Sequence, residues 1–239
     1  MTTEPLIRLC DVRKDFGAQI VLAGVSLDVH GGEAVALLGG NGAGKTTLLK
    51  IVGTVLRPTA GQVRVAGRDA VRDAEAVRGQ LGFVGHGAWV YDDLTAAENL
   101  RFWTALAGRP ASEGELGGAL AAVELDRVSR ARVRTFSAGM KRRLSLARLT
   151  LFAPAVLLLD EPFAGLDQRA KKWLEGYLEG FKDRGGALLM VTHSLGRELD
   201  VADRITILAG GRIALDTPRA GLDPDDLQRL YAAHAEDGA

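Results

Sequence analysis

The chain has 239 residues, of which 47% are hydrophobic and 25% charged, and its 30 basic and 30 acidic residues give no net charge. This length and composition suit one folded domain, and the balanced charge excludes an overall field that favours nucleic acid or acidic membranes. Cys10 is the only cysteine, which excludes an internal disulfide and fits a cytoplasmic protein. The longest apolar runs fall far short of the ~20 residues of a membrane helix, so we expect any membrane role to come through partners.

Nine apolar segments have the length of β-strands and predict the sheets of the fold. They span residues 6–12, 21–29, 34–38, 62–67, 81–85, 155–160, 187–192, 204–209 and 212–217. The segments 34–38, 155–160 and 187–192 are apolar throughout, which predicts strands buried on both faces of a parallel sheet. The early segments alternate between apolar and polar residues, which is typical of an antiparallel edge sheet.

Helical periodicity replaces the strand pattern between residues 95 and 150. The pattern predicts an α/β core interrupted by a mostly helical insertion from about residue 86 to residue 153, with a solvated loop over 108–115. After Pro218 we expect one short helix and a frayed end.

The strongest motif is GGNGAGKTT over residues 39–47, which follows an apolar strand and opens a helical segment. This context is typical of a phosphate-binding P-loop, in which backbone N–H groups and the helix N-terminus surround phosphate. Lys45 is expected to reach the β- and γ-phosphates of a nucleotide, and the Thr46 hydroxyl to hold Mg²⁺. The candidate nucleotide-binding residues of the loop are Gly39, Asn41, Gly42, Gly44, Lys45, Thr46 and Thr47.

Two acidic residues, Asp160 and Glu161, end the apolar strand AVLLLDEP. The carboxyl end of a strand in an open α/β sheet is where nucleotides bind. We therefore expect Asp160 to bind Mg²⁺ through water, and Glu161 to orient and deprotonate the attacking water.

A third motif, TFSAGMKRRLSLAR over residues 135–148, resembles the LSGGQ signature of ABC ATPases. Ser137 and Gly139 open a helix there, and exposed N–H groups at such a start can bind a γ-phosphate. Ser137 precedes Asp160 by 23 residues, which makes the match specific. The motif is expected to serve the P-loop of a second protomer.

The resemblance to ABC ATPases extends over nearly the whole chain and implies further site residues. AGLD at 164–167 resembles the D-loop, His193 matches the switch histidine that contacts the γ-phosphate, and Phe16 matches the aromatic residue that stacks on adenine. The implied fold class is α/β: a P-loop NTPase (RecA-like) core with an antiparallel β edge sheet and an inserted helical subdomain. Residues 1–239 would form one ABC ATPase domain.

Within that domain, residues 1–85 and 154–239 would form the nucleotide-binding core, and 86–153 the helical signature subdomain. The resemblance implies an ATPase that uses ATP and Mg²⁺, and a head-to-tail homodimer bound to integral-membrane transporter subunits. Its expected location is peripheral, on the cytoplasmic face of the inner or plasma membrane.

His86 occupies the position where the family usually has the Q-loop glutamine. A neutral imidazole can accept a hydrogen bond from the attacking water or ligate Mg²⁺, whereas an imidazolium cannot. Together with SAGM, DEPF and DLTAAENL, this histidine resembles the haem-exporter ATPases of bacterial cytochrome c maturation (CcmA). The chain has no C-x-x-C-H motif, so haem is not expected to touch it.

Other functions stay open at the level of sequence. Residues 127–148 contain eight basic residues and no acidic one, which is typical of a nucleic-acid-binding ABC ATPase or of a solvated helix face. We favour the solvated face, and expect no direct contact with nucleic acid. An ABC-2-type exporter of a drug, lipid or polysaccharide, and a non-transport single-cassette ATPase, are the remaining alternatives.

Overall fold

The computed structural model describes residues 4–85 and 87–235. The strands are β1 (Ile7–Phe16), β2 (Gln19–Val29), β3 (Ala34–Leu38), β4 (Ala60–Val65), β5 (Arg68–Asp69), β6 (Leu81–Val84), β7 (Val156–Asp160), β8 (Ala187–Val191), β9 (Arg204–Ala209) and β10 (Arg212–Pro218). The helices are α1 (Lys45–Val52), α2 (Ala74–Arg78), α3 (Ala96–Leu106), α4 (Glu113–Ala122), α5 (Ala138–Ala147), α6 (Gln168–Asp183) and α7 (Pro224–Ala235).

The larger sheet has six strands in the order β10-β9-β3-β8-β7-β6. Strand β3 pairs in parallel with both β8 and β9, and β7 pairs in parallel with β8. Every residue of β3, β7 and β8 is buried, because these strands carry no polar face to offer to solvent. The expectation of a buried parallel sheet is confirmed.

The smaller sheet has the order β2-β1-β4-β5, and all of its pairs are antiparallel. Its strands alternate between buried and more exposed residues; the last three residues of β4, for example, are buried, exposed and buried. One apolar core joins this sheet to the larger one and to α1, whose Leu48, Leu49 and Ile51 are buried. The predicted antiparallel sheet is therefore confirmed.

The chain divides into two compact units. The first contains residues 4–83, 154–162 and 178–235 of the described chain, and the second contains Val84–Ala153, apart from residue 86, and Phe163–Tyr177. The second unit thus includes the first part of α6 as well as most of the range 86–153 expected to be helical. Trp173 of α6 explains the addition, since it packs against the core that α3, α4 and α5 form.

Capping residues fix where the helices of the second unit begin. Ser112 accepts a hydrogen bond from the Glu115 backbone N–H at 3.3 Å, and the Glu115 carboxylate accepts one from the Ser112 N–H at 2.7 Å. This reciprocal capping box starts α4 at Glu113. The expectation of a loop over the whole of 108–115 is therefore wrong for its last three residues. Helix α7 lies where one short helix was expected after Pro218.

No helix within the described ranges, 4–85 and 87–235, combines the length and the apolar character needed to cross a membrane.

Candidate nucleotide-binding site

The loop between β3 and α1 has a backbone that only glycine adopts without strain. Gly39, Gly42 and Gly44 have φ angles of 150°, 81° and 104°, in the region that L side chains rarely occupy. A Cβ atom on Gly39 would collide with the Leu208 carbonyl, and one on Gly44 would lie 2.7 Å from Leu22 Cδ2. The glycines therefore let the loop turn tightly between the sheet and the helix.

The loop encloses a cavity of about 330 Å³. Its wall consists of residues 41–47, which include Asn41 and Thr47, together with Val21 of β2. The cavity lies at the N-terminus of α1, where unpaired backbone N–H groups and the helix dipole favour an anion. Its size is within the range of small-molecule sites.

Lys45, the first residue of α1, is folded back onto the loop. Its Nζ donates hydrogen bonds to the carbonyl oxygens of Gly39 at 2.7 Å and Gly40 at 2.9 Å. Burial lowers the pKa of Lys45, and the nearby carboxylates of Glu161 and Asp160 partly oppose that shift. A partly desolvated ammonium held by neutral carbonyls is well placed to exchange them for phosphate oxygens.

Thr46 and Asp160 offer a pair of oxygen ligands. The Thr46 hydroxyl donates to Asp160 Oδ2 at 3.3 Å, and Asp160, the last residue of β7, is buried. A hydroxyl and a carboxylate fit Mg²⁺, which binds few protein ligands and takes the rest from water and phosphate. Over residues 4–85 and 87–235, no three His, Cys, Asp or Glu residues cluster as a metal site. The Thr46 hydroxyl and the Asp160 carboxylate would therefore supply two of the ligands of a bound Mg²⁺.

Glu161 lies at a strained turn directly after β7. Its φ angle is 49°, unusual for a residue with a side chain, and its N–H donates to the Val191 carbonyl at 2.9 Å. The Thr192 hydroxyl donates to Glu161 Oε2 at 3.2 Å, and His193 Nδ1 lies 2.7 Å from Glu161 Oε1. The end of β8 thus holds both carboxylate oxygens.

Phe16 is the last residue of β1 and is 49% exposed. The Lys14 ammonium lies 4.9 Å from the centre of its ring. Phe16 pairs with Gln19 of β2, two residues before the cavity-lining Val21. The Phe16 ring is therefore available for stacking on a ligand. It lies beside β2, the strand that contributes Val21 to the cavity wall.

Ser137 and Gly139 belong to the second compact unit, whereas the residues above belong to the first. Ser137 is the N-cap of α5 and accepts a hydrogen bond from the Met140 N–H at 3.2 Å. A Cβ atom on Gly139 would lie 3.6 Å from the carbonyl oxygen of Gly165, in the AGLD segment. The signature motif and the AGLD segment are thus neighbours in one unit.

His86 lies outside the described residues, so its predicted role in catalysis and metal binding stays a prediction. The carbonyls on either side of it, of Gly85 and Gly87, accept hydrogen bonds from the buried Arg142 at 2.9 and 3.0 Å.

Sequence reasoning missed Thr192 and Val21. Val21 looks like any strand residue, and only its approach to Gly44 makes it part of the wall. Thr192 carries one signal, since it is the polar residue that ends the apolar segment ALLMVT.

The sequence is similar to proteins of a family whose members would fit this site. Residues 22–164 match the family model described as ABC transporter. The daunorubicin resistance ATP-binding protein DrrA3 of Streptomyces coeruleorubidus is 37% identical over 84% of this chain and 64% of its own length. The sulfate/thiosulfate import ATP-binding protein CysA of Mesorhizobium japonicum is 35% identical over 87% of this chain and 62% of its own. This chain therefore spans less than two thirds of both.

The cytochrome c biogenesis ATP-binding export protein CcmA of Pseudomonas putida is 37% identical over 71% of this chain and 80% of its own length. Relatives named for three different processes are thus about equally similar, and the more specific resemblance to CcmA proteins is not distinguished from the others.

Two solved structures are similar over most of their length. One, an ATP-binding subunit of an ABC transporter, superimposes with a TM-score of 0.85 at 29% identity and covers 95% of this chain and 99% of its own. The other, an ATP-binding cassette in a dimeric post-hydrolysis state with ADP and Pi, has a TM-score of 0.79 at 26% identity and covers 90% and 100%. The fold class predicted from the sequence is confirmed, and this chain belongs to the ABC transporter family.

Proposed function

We propose that this chain hydrolyses Mg-ATP as the ATP-binding subunit of an ABC transporter. The observation that carries the proposal is the convergence of Lys45, Thr46, Asp160 and Glu161 beside one cavity at the carboxyl ends of β3 and β7. The similar cassette solved with ADP and Pi supports a hydrolytic role. ATP and Mg²⁺ are the substrate and cofactor of the proposed reaction.

Binding would begin at the loop. Its backbone N–H groups and the N-terminus of α1 receive the phosphates, and Lys45 Nζ exchanges the Gly39 and Gly40 carbonyls for β- and γ-phosphate oxygens. Phe16 supplies an exposed ring for the adenine. Thr46 and Asp160 would hold Mg²⁺, which neutralises phosphate charge when it is bound.

Hydrolysis would be carried by Glu161. Its carboxylate accepts a proton from a water molecule whose oxygen forms a bond to the γ-phosphorus, while the bond from that phosphorus to the β–γ bridging oxygen breaks. The products are ADP and Pi. His193, whose side chain is 73% exposed, can turn from Glu161 to a γ-phosphate oxygen. Each residue acts by position and charge, which is the main source of catalysis in phosphoryl transfer.

A second copy of the chain would complete each site, head to tail. Ser137 and Gly139 start helix α5 with an exposed hydroxyl and backbone N–H groups, a geometry suited to the γ-phosphate held by the other copy. The similar cassette solved as a dimer after hydrolysis supports this assembly. Closure would depend on the γ-phosphate, and its loss would release the dimer.

Integral-membrane subunits would bind the second unit, on the cytoplasmic face of the membrane. Trp89, Tyr91 and Phe102 are 61%, 47% and 39% exposed, and the rings of Tyr91 and Phe102 pack edge to face with centroids 4.8 Å apart. Exposed aromatic side chains are typical of protein interfaces. The buried Asn99 fixes this loop by hydrogen bonds to both the N–H and the carbonyl of Tyr91.

Haem export in cytochrome c biogenesis is the more specific form of the proposal. It rests on the CcmA-like motifs around His86 and on the similarity to a CcmA protein. Deleting the gene in its host and staining membranes for covalently bound haem tests this form. Loss of c-type cytochromes, restored by the wild-type gene but not by a Lys45→Ala gene, is expected. Normal cytochromes would contradict haem export and leave the ATPase proposal standing, with another exported cargo as the alternative.

The ATPase proposal is tested on the purified protein by measuring ADP and Pi released from Mg-ATP. We expect activity in the wild type, its loss in Lys45→Ala, and wild-type activity in Lys172→Ala, which removes an exposed lysine of α6. Equal activity in all three would point to a contaminating ATPase and contradict the assignment of the site. Activity that requires added DNA, RNA or ribosomes would instead support the nucleic-acid class of ABC ATPases.

A further inference from the structure

We infer that Thr192 is a positioning residue for hydrolysis: its buried hydroxyl holds the Glu161 carboxylate in the orientation in which it accepts a proton from water. The inference deepens the proposed ATPase function and rests on it. It assigns a role to a residue that neither the sequence motifs nor the resemblance to ABC ATPases singled out.

The first step is the rigidity of Thr192 itself. The residue follows β8 directly and is 2% exposed. Its N–H donates to the Leu37 carbonyl of β3 at 3.4 Å, and its Oγ1 accepts the Ser194 N–H at 3.1 Å. A hydroxyl has one proton and two lone pairs. Since a lone pair already accepts from Ser194, the proton is free to point at Glu161 Oε2, 3.2 Å away.

The second step is what Glu161 needs. A general base contributes to catalysis only when its carboxylate is held within hydrogen-bonding reach of the water it deprotonates. The backbone of Glu161 is fixed by its turn and by the bond from its N–H to Val191, but a glutamate side chain still has three rotatable torsions. A buried donor directly after the neighbouring strand β8 removes much of that freedom.

The third step is the contrast between the two contacts at the end of β8. The side chain of His193 is 73% exposed, and in the proposed mechanism it turns to the γ-phosphate when ATP binds. Thr192 is buried and anchored to β3, so its hydroxyl can stay on Glu161 Oε2 through that change. The carboxylate would then keep one oxygen fixed by Thr192 and present the other to water.

The experiment compares Thr192→Val with Thr192→Ser in steady-state ATP hydrolysis. Valine keeps the shape of threonine and removes the hydroxyl, so we expect kcat to fall about 10- to 100-fold, with KM for ATP and the Kd of a fluorescent ATP analogue changed less than about twofold. Serine restores the hydroxyl, and we expect kcat within about threefold of the wild type.

Thr206→Val is the matched control. Thr206 is also buried, lies on β9 of the same sheet, and its hydroxyl donates to Asp216 at 2.9 Å. This variant loses the same kind of hydrogen bond away from Glu161, so we expect a lower melting temperature with an unchanged kcat per folded molecule.

An unchanged kcat in Thr192→Val, an equal loss in Thr206→Val, or a failure of serine to restore kcat would overturn the inference while leaving the ATPase function intact. A wild-type protein that does not hydrolyse ATP would overturn the proposed function, and this inference with it.

Discussion

The Thr46 hydroxyl donates a hydrogen bond to the Asp160 carboxylate at 3.3 Å, although 114 positions separate the two residues in the chain. The contact forms because the helix that begins at Lys45 and the strand that ends at Asp160 meet at one edge of the parallel sheet. It joins the proposed phosphate site to the proposed metal site.

From the Thr46–Asp160 contact we expect Mg²⁺ to raise the affinity for nucleotide, and Asp160 to be needed for this effect. In the wild type we expect a fluorescent ATP analogue to bind at least about tenfold more tightly with Mg²⁺ than with EDTA, since two oxygens of the chain would help to hold the metal. In Asp160→Asn this difference is expected to shrink to less than about twofold, because a neutral amide is a weaker ligand. Asp183→Asn, at an exposed position in α6, is the control. A full Mg²⁺ effect in Asp160→Asn would contradict the assignment.

We expect the Glu161→Gln variant to bind ATP without hydrolysing it. The amide keeps the shape of the carboxylate and removes the base, so we expect kcat to fall by at least ~100-fold while ATP affinity stays within about threefold of the wild type. Size-exclusion chromatography with Mg-ATP is expected to show a stable dimer. Glu179→Gln, at an exposed position in α6, is expected to hydrolyse ATP like the wild type. Hydrolysis by Glu161→Gln at the wild-type rate would remove Glu161 from the mechanism.

The parallel sheet could be predicted from the sequence because its strands are apolar on both faces. Strands β3, β7 and β8 each consist of five buried residues, and short apolar runs of that length are typical of strands buried on both faces. Helix α6 was missed, although Ala170, Leu174, Leu178 and Phe181 recur at helical spacing and, in the structure, are buried. The spacing is readable, but the helix divides between the two units, and no motif marks where it ends.

Only those residues of the site that belong to recognisable sequence motifs could be predicted from the sequence. The loop around Lys45 and the acids after β7 carry recognisable patterns, and the structure places them together. The contact of Thr192 with Glu161 depends on the register that sets Asp160 opposite Val191, and strand register across distant segments is not written in either segment alone. The cargo cannot be predicted from this sequence, because the membrane partners would recognise it.

Acidification is expected to remove a stabilising contribution of Glu98. Hydrogen bonds from Thr95, chiefly from its backbone N–H, lower the pKa of Glu98 below its ordinary value of 4.5. A lowered pKa in the folded state means that ionised Glu98 stabilises the fold above the ordinary pKa, and that this contribution is lost as pH falls through the lowered one. We expect the wild type to melt at a higher temperature than Glu98→Gln at pH 7.

The two melting temperatures are expected to converge as pH falls through the lowered pKa of Glu98, because the wild-type carboxyl is then protonated. Circular dichroism from about pH 7 down to about pH 2 measures both. A difference between wild type and Glu98→Gln that stays constant over this range would show that the charge of Glu98 does not matter. Glu179→Gln removes an exposed carboxylate of α6 that belongs to no capping box, and it is the control.

The Ser137→Arg substitution is expected to abolish ATP hydrolysis without weakening ATP binding to the monomer. Ser137 caps α5 through the Met140 N–H, and a bulky cation there would block the helix start proposed to receive the γ-phosphate of the second copy.

Losing the cap costs about 1 kcal/mol of stability, so the control variant must lose a helix cap as well. Ser112→Arg does so at the start of α4, outside the signature motif, and is expected to keep its activity per folded molecule. The measurements are ATP hydrolysis, and nucleotide affinity at protein concentrations at which the chain is monomeric. Weakened binding to the Ser137→Arg monomer would mean that Ser137 acts on the nucleotide of its own chain, and equal loss of activity in both variants would mean that capping alone explains the effect.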